Sequence, residues 1–336
     1  MEIDKFNMKK IILNFPLQFN RGLKAAKNVS LEHYRIITTP NNIIICGMGG
    51  SALPGEILVN LRPLNFFIHK SYGLPMQAGN GSIIICVSYS GNTEETLSAF
   101  EEAIKRKLPV IAITTGGELA KIAKKNNIPL VILPAPYTQP RLSLGLQFAA
   151  LLQVLVNHYL IPDSYIREIA KLETLLKPKK LESEGKVLAK KIGKKIPIIY
   201  TPEKLKGLGL VWKNNFNENA KTLAFSNNIP EMNHNEIVGF WKIGKKQIKD
   251  DIIIIILRDK GENPRILKRI NIIENILKEE GVKSVIIDIT GKNMLETIFS
   301  SALMGLWASY YLALDYYKID PTKIEIIDKI KNKLNN

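Results

Sequence analysis

Within six residues, Ser88-Tyr89-Ser90-Gly91-Asn92-Thr93 gathers three aliphatic hydroxyls, an amide and a glycine. The apolar run Ile83–Val87 precedes this string, and Glu94-Glu95 follows it as the acidic first turn of a helix. A strand that ends in small residues and feeds a helix leaves backbone N–H groups and hydroxyls at the positive end of the helix dipole. That is a seat for a phosphate. A helix start needs one capping hydroxyl. Three so close together favour a phosphate seat over a capping cluster. A second turn, Gly47-Met48-Gly49-Gly50-Ser51-Ala52, follows the run Ile43–Cys46. Its glycines can simply permit positive φ. It lacks the third glycine of the dinucleotide fingerprint, the acidic residue about 20 positions on, and the Walker pattern. Alone it says little; beside the first turn it implies one ligand held between two loops. The expected phosphate-holding residues are Gly49, Gly50, Ser51, Ser88, Ser90 and Thr93.

Four other residues are candidates for chemistry. Glu218, in Asn217-Glu218-Asn219-Ala220-Lys221, falls at the end of an expected helix, where a solvated carboxylate is the default. His234, in Met232-Asn233-His234-Asn235-Glu236, is the one histidine in an Asn-rich loop. Imidazole titrates near neutrality and can deliver a proton. His33, His69 and His158 have no such surroundings and read as structural. Arg141 follows a loop containing Pro134, Pro136 and Pro140, where a surface arginine is the default. Lys323, in Asp320-Pro321-Thr322-Lys323, stands at a helix start. The dipole disfavours a cation there, which mildly favours a functional role. No His-x-x-x-His pair or cysteine cluster gives metal-ligand spacing, so no metal and no cofactor are expected.

The elements that must position these groups follow from hydrophobic patterning. In the first half, Ile43–Cys46, Phe66–His69, Ile83–Val87, Val110–Thr114 and Leu130–Leu133 read as strands. Helical spacing fills Ala52–Asn60, Glu94–Lys107 and Glu118–Lys125 between them. Continuous rather than alternating apolar strands mean that both sheet faces are covered, as in a parallel α/β sheet. Strand–helix alternation implies a doubly wound architecture with ligands at the carboxyl ends of the strands. The apolar helix Leu142–Ile161 is interrupted by Gln147, Gln153, Asn157 and His158, so it reads as buried rather than membrane-spanning. A polar helical connector is expected over Lys171–Lys195. The pattern then restarts with strands at Ile196–Tyr200, Thr222–Phe225, Ile252–Leu257 and Val285–Ile289, with a helix at Leu208–Lys221. Helices are expected over 291–317 and Ile324–Leu334. The organisation is thus α/β, with two doubly wound parallel-sheet subdomains flanked by helices. The first spans 1–160 with the phosphate turns, 161–195 is the connector, and the second spans 196–336 as a degenerate copy without a phosphate turn.

Composition narrows the partners. The 336 residues are 46% apolar, enough for a large core and against disorder. The formal charge of +16 comes mainly from lysines scattered along the chain, without a groove-reading motif or basic arm. No nucleic-acid partner is expected; a positive field would instead attract an anionic small substrate. No signal peptide is read, so no membrane partner is expected. The two cysteines, Cys46 and Cys86, each close an isoleucine run and read as buried thiols in a reducing, cytoplasmic compartment.

The string Ser-Tyr-Ser-Gly-Asn-Thr-Glu-Glu-Thr after a strand resembles the signature of sugar isomerase (SIS) domains, which hold phosphosugars. Together with Gly-Met-Gly-Gly-Ser-Ala, the paired α/β halves, Asn-Glu-Asn-Ala and Asn-His-Asn-Glu, the whole chain resembles the archaeal-type bifunctional phosphoglucose/phosphomannose isomerases. The resemblance implies a metal-free aldose–ketose isomerase acting on hexose 6-phosphates through a cis-enediolate. It implies Glu218 as the base that moves the proton between C1 and C2. His234, sixteen positions on (234 − 218), would aid ring opening from the other subunit of a homodimer. Arg141 would lie near the reacting oxygens and Lys323 beside the sugar ring. A non-catalytic SIS regulator is the main alternative. The stretch before Ile43 is short for a DNA-binding module with its linker, and Glu218 and His234 would have no purpose there. The isomerase half of an amidotransferase would require a glutaminase domain and an N-terminal nucleophilic cysteine.

Overall fold

The computed structural model describes residues 3–30, 40–59, 61, 65–135, 139–240 and 247–334. His33 and Pro136 lie outside the described residues. The first sheet contains β1 (Asn42–Cys46), β2 (Phe66–His69), β3 (Ser82–Ser88), β4 (Val110–Thr114) and β5 (Leu130–Ile132). All pair in parallel in the order β2-β1-β3-β4-β5. The isoleucine runs form strands because both of their faces find cover. Ile43, Ile45, Ile83, Ile85 and Val87 enter one hydrophobic core, while Ile44, Cys46, Ile84 and Cys86 enter another on the opposite face. The strand period of two thus divides each run between two helical layers. The winding reverses between β1 and β3, which creates a crevice at their carboxyl ends. Both hydroxyl- and glycine-rich turns leave the sheet there.

The second sheet contains β6 (Ile196–Pro202), β7 (Phe225–Ile229), β8 (Ile252–Asp259) and β9 (Ser284–Ile289). It is parallel, in the order β7-β6-β8-β9. This repeats the winding of the first four strands of the other sheet, so the expected echo between the halves is present.

Of the boundaries that differ from the sequence expectation, three change the reading of an element. The strand expected at Thr222–Phe225 begins only at Phe225 and runs to Ile229. Residues before it complete the preceding helix end: Lys221 is left-handed, the Thr222 N–H donates to the Phe216 carbonyl, and Ala224 N–H donates to Asn217 Oδ1. The left-handed residue and these two bonds draw Thr222 into the helix terminus. The connector is two helices, Ser164–Leu175 and Pro178–Ile192. Leu176 is extended and Lys177 precedes a proline, a position where helical backbone is sterically disfavoured. The helix expected over 291–317 is α-helical over Met294–Tyr311 and widens to a π-type turn over Leu312–Tyr317.

The helix Leu144–Asn157 is buried along most of its length. Among the described residues, Met294–Tyr317 is long and apolar enough to cross a membrane, but 78% of its apolar window is buried in the protein. It is a core helix: Phe299 sits among the rings of Phe15, Phe19 and Phe148, joining the N-terminal helices to Leu144–Asn157. Cys46 and Cys86 are register partners on β1 and β3, and both are free, buried thiols. Burial, aided by a hydrogen bond with Cys46, pushes the Cys86 thiol well up, so it is held in its unreactive protonated form.

Candidate active site

The crevice between β1 and β3 brings the two turns together. Ser51 Oγ accepts a hydrogen bond from the Tyr89 N–H at 3.1 Å, tying the glycine turn to the hydroxyl turn. Within the latter, Ser88 Oγ and Thr93 Oγ1 are 2.9 Å apart, and the Gly91 N–H donates to Ser88 Oγ. Gly91 has φ +74°, and a Cβ there would lie 1.9 Å from the Gly116 carbonyl oxygen. Only glycine permits that conformation and that approach. Thr93 is the N-cap of the helix Glu94–Lys105, yet its side chain makes no capping bond. The hydroxyl cluster therefore does not cap the helix, whose first N–H groups and positive dipole end remain at the crevice. Ser90 is exposed, with its Oγ accepting from the Asn92 N–H. Ser51 and Ser88 lie at the buried base.

From the glycine turn a continuous path of contacts runs to Glu218. A Cβ on Gly50 would meet the backbone nitrogen of Arg141 at 2.6 Å, so the turn rests directly on the short 3-10 segment Pro140–Ser143. Arg141 is only 3% exposed. Its Nε donates to Asn219 Oδ1 at 2.6 Å, Nη1 donates to Glu218 Oε2 at 3.0 Å, and Nη2 donates to the carbonyls of Pro321 (3.0 Å) and Thr322 (3.4 Å). Asn219 in turn donates to Ser309 Oγ in the long core helix. Burial pulls the Arg141 pKa down and the Glu218 carboxylate opposes that shift, while guanidinium basicity keeps the group charged. The Glu218 side chain is 21% exposed, so the Arg141-paired carboxylate keeps one open flank. A charged, oriented carboxylate beside a fixed cation can exchange a proton with a bound carbon acid while the cation stabilises the resulting oxyanion.

The remaining two candidates stand apart from this cluster. His234 is exposed and ends the 3-10 segment Glu231–His234, just after β7, whereas Glu218 lies before β7. Thr222 and Ala224, which lead into β7, bond to the helix end that carries Glu218, whereas His234 follows the carboxyl end of the strand; its five residues span about 13 Å. The His234 loop is pinned through Glu236, which accepts hydrogen bonds from the Tyr200 hydroxyl and Asn227 Nδ2, each at 2.6 Å. Burial first, and then Glu236, pushes the Tyr200 phenol far up, keeping it a donor. Lys323 is half-exposed, with its ammonium 3.2 Å from Glu325 Oε1. It adjoins Thr322 in the segment that Arg141 grips, but it is not among the groups bonded to Arg141 or Glu218. His69 ends β2 and His158 follows the helix Leu144–Asn157, both away from the Arg141 cluster's bonds.

Two members of the cluster escaped the sequence reading. Asn219 holds Arg141 Nε, and Lys221 donates to the carbonyls of Asn219 and Asp320. Both lie within the string that drew attention to Glu218, but no residue spacing marks their partners.

Residues 181–334 match the family model of the bacterial phospho-glucose isomerase C-terminal SIS domain. Over 345 aligned residues the chain is 35% identical to a bifunctional phosphoglucose/phosphomannose isomerase of Caldicellulosiruptor bescii, covering 97% of this chain and 98% of that one. A protein of the same description from Aquifex aeolicus is 32% identical over 304 residues, covering 89% and 92%. Among solved structures, the tagatose-6-phosphate ketose/aldose isomerase of Escherichia coli aligns with a TM-score of 0.65 at 17% identity. That alignment covers 94% of this chain and 95% of the other, a similarity of fold.

Proposed function

The chain belongs to the bifunctional phosphoglucose/phosphomannose isomerase family, and from that membership we propose that it interconverts glucose 6-phosphate and mannose 6-phosphate with fructose 6-phosphate. The phosphate is held by Ser51, Ser88, Ser90 and Thr93, with backbone N–H groups of the two turns around Gly49, Gly50 and Gly91. Remote binding of this unreactive end positions C1 and C2 without changing during the reaction. Glu218 takes the proton from one carbon and returns it to the neighbouring one through a cis-enediolate. Proton transfer of this kind contributes roughly 10²–10⁴-fold. Arg141 supports the charge that develops on the substrate oxygens. Epimer tolerance requires only rotation about C2–C3 of the opened intermediate.

Ring opening is assigned to His234 and Lys323. The separation of His234 from Glu218 by the length of β7 favours delivery of His234 of the partner subunit in a homodimer. The reaction as written uses no metal or cofactor, and the setting is cytoplasmic. Similarity to isomerases over nearly the full chain argues against the regulator alternative.

The observation that carries this reading is Arg141, which touches the phosphate turn with its backbone and holds Glu218 with its guanidinium. The test is formation of fructose 6-phosphate from each hexose 6-phosphate in the presence of EDTA, with wild type and Glu218→Gln. Wild type should turn over both substrates, whereas the variant should bind them and lose turnover by at least ~10²-fold. Near-normal rates in Glu218→Gln would remove the base assignment; an inactive wild type would remove the isomerase reading.

A further inference from the structure

Arg141 is not alone in gripping the segment that precedes the C-terminal helix. Its Nη2 takes the carbonyls of Pro321 and Thr322, and Lys221 Nζ takes the carbonyl of Asp320 at 2.7 Å. Three successive carbonyls are thus held by two cations. The same two cations also hold Asn219, Arg141 through the side-chain oxygen and Lys221 through the backbone oxygen at 3.3 Å. Asp320 stiffens the segment internally, with Oδ1 accepting from the Thr322 N–H and hydroxyl. Lys221 itself stands at φ +52°, at the left-handed position closing the helix Lys206–Asn219. Glycine fits that position without cost, while a residue with a Cβ loses about 1–2 kcal/mol. The lysine at this site is therefore not explained by helix termination.

We propose that Lys221 is a positioning residue for the Arg141–Glu218 pair, its ammonium clasping the Asp320–Thr322 backbone against the helix end that carries Glu218. Removing the clasp frees the carbonyls that orient Arg141 Nη2, and so lets the guanidinium turn away from Glu218 and from the reacting oxygens. Substrate grip at the two phosphate turns is spared, because Arg141 meets the Gly50 turn through its backbone, whereas Lys221 acts on the segment that holds its guanidinium end.

The clasp depends on a proton. Partial burial, and then the Arg141 charge, pulls the Lys221 pKa down to about 8, against the opposing pull of Asp320, Glu218 and Glu325. Among the described residues those four charges face it, from the helix end, the 3-10 segment of Arg141 and the C-terminal segment. Below that pH the ammonium makes charge-assisted bonds; above it a neutral amine holds the carbonyls more weakly.

This inference rests on the isomerase reading, and its test separates the two. Steady-state conversion of glucose 6-phosphate would be followed from about pH 6 to about pH 10 in wild type, Lys221→Arg and Lys221→Met, with thermal melts as a check on folding. Wild-type kcat/KM, which reports the ligand-free protein, should fall on an alkaline limb near pH 8. Lys221→Arg, charged throughout, should keep kcat at neutral pH within about 3-fold and lose the limb. Lys221→Met should lower kcat at least ~10-fold with KM within about 3-fold. An unchanged alkaline limb in Lys221→Arg, or near wild-type kcat in Lys221→Met, would overturn the proposal. If Lys221→Met does not fold, the Lys221→Arg profile decides alone. A wild type inactive on hexose 6-phosphates would overturn the isomerase reading instead.

Discussion

Arg141→Lys keeps the charge and removes the fork, and so tests whether geometry or charge alone matters at the centre of the site. The guanidinium makes four hydrogen bonds, to Asn219, Glu218, Pro321 and Thr322. A lysine ammonium has three donors on one atom and cannot span acceptors spread around a planar group; two of the four would lose their donor. A hydrogen bond to a charged group is worth about 1.5–3 kcal/mol. Losing two therefore costs about 3–6 kcal/mol, and water at the open flank of Glu218 recovers enough to set the figure near the lower end. With unfolding entropy of about 2.1 cal/mol/K per residue, 336 residues give about 0.7 kcal/mol/K, so about 3 kcal/mol lowers Tm by about 4 °C. The catalytic effect is larger in proportion. Losing one aligned donor at a developing oxyanion costs ~10²–10³ in kcat. Scanning fluorimetry and fructose 6-phosphate formation at 25 °C, well below the melt, measure the two quantities separately. A variant with kcat within about tenfold of wild type would refute the role of the fork in stabilising charge. An unchanged Tm would refute the hydrogen-bond count.

Gly91→Ala should lower stability by about 2–5 kcal/mol in a denaturant melt, from left-handed strain at φ +74° plus collision with the Gly116 carbonyl. It should also raise KM for any phosphosugar, because the hydroxyl turn must move; an unshifted midpoint would contradict both effects. Glu182→Gln probes a link between the first and second halves. Burial tends to raise the Glu182 pKa, but hydrogen bonds from Lys9 and Tyr311 and the charges of Lys9 and Lys186 outweigh it and hold it below the ordinary value. A depressed folded-state pKa stabilises above the ordinary glutamate range and is lost as pH falls through the lowered value. Glu182→Gln should therefore be less stable than wild type by under about 1 kcal/mol at neutral pH, converging with it in acid. A gap that stays constant into acid would contradict the assignment.

How much of this was legible in the chain varied with the range of the forces involved. The isoleucine runs, the small-residue turns and the acidic helix start at Glu94 declare themselves, because strand burial on two faces and backbone freedom at a turn are local demands written in consecutive residues. Glu218 at a helix end was legible for the same reason. The strand Phe225–Ile229 was not: its Ser226, Asn227 and Asn228 carry no apolar pattern, and it forms because β6 offers it a ladder. Cys46 and Cys86 signalled buried strands, but only the parallel register set them side by side.

Arg141 marks the division most clearly. Its type and neighbours made a surface arginine the default. Its burial, and its bonds to groups between 77 and 181 positions away, arise when the 3-10 segment is pressed between the Gly50 turn and the end of a helix from the other half. The same packing recruited Lys221 and placed His234 at the far end of β7 from Glu218. Residue types and short spacings settle which local structures form and what chemistry is on hand. Which groups meet depends on how the two sheets and the core helix dock, because hydrogen bonds and burial act only across a few ångströms whatever the distance along the chain.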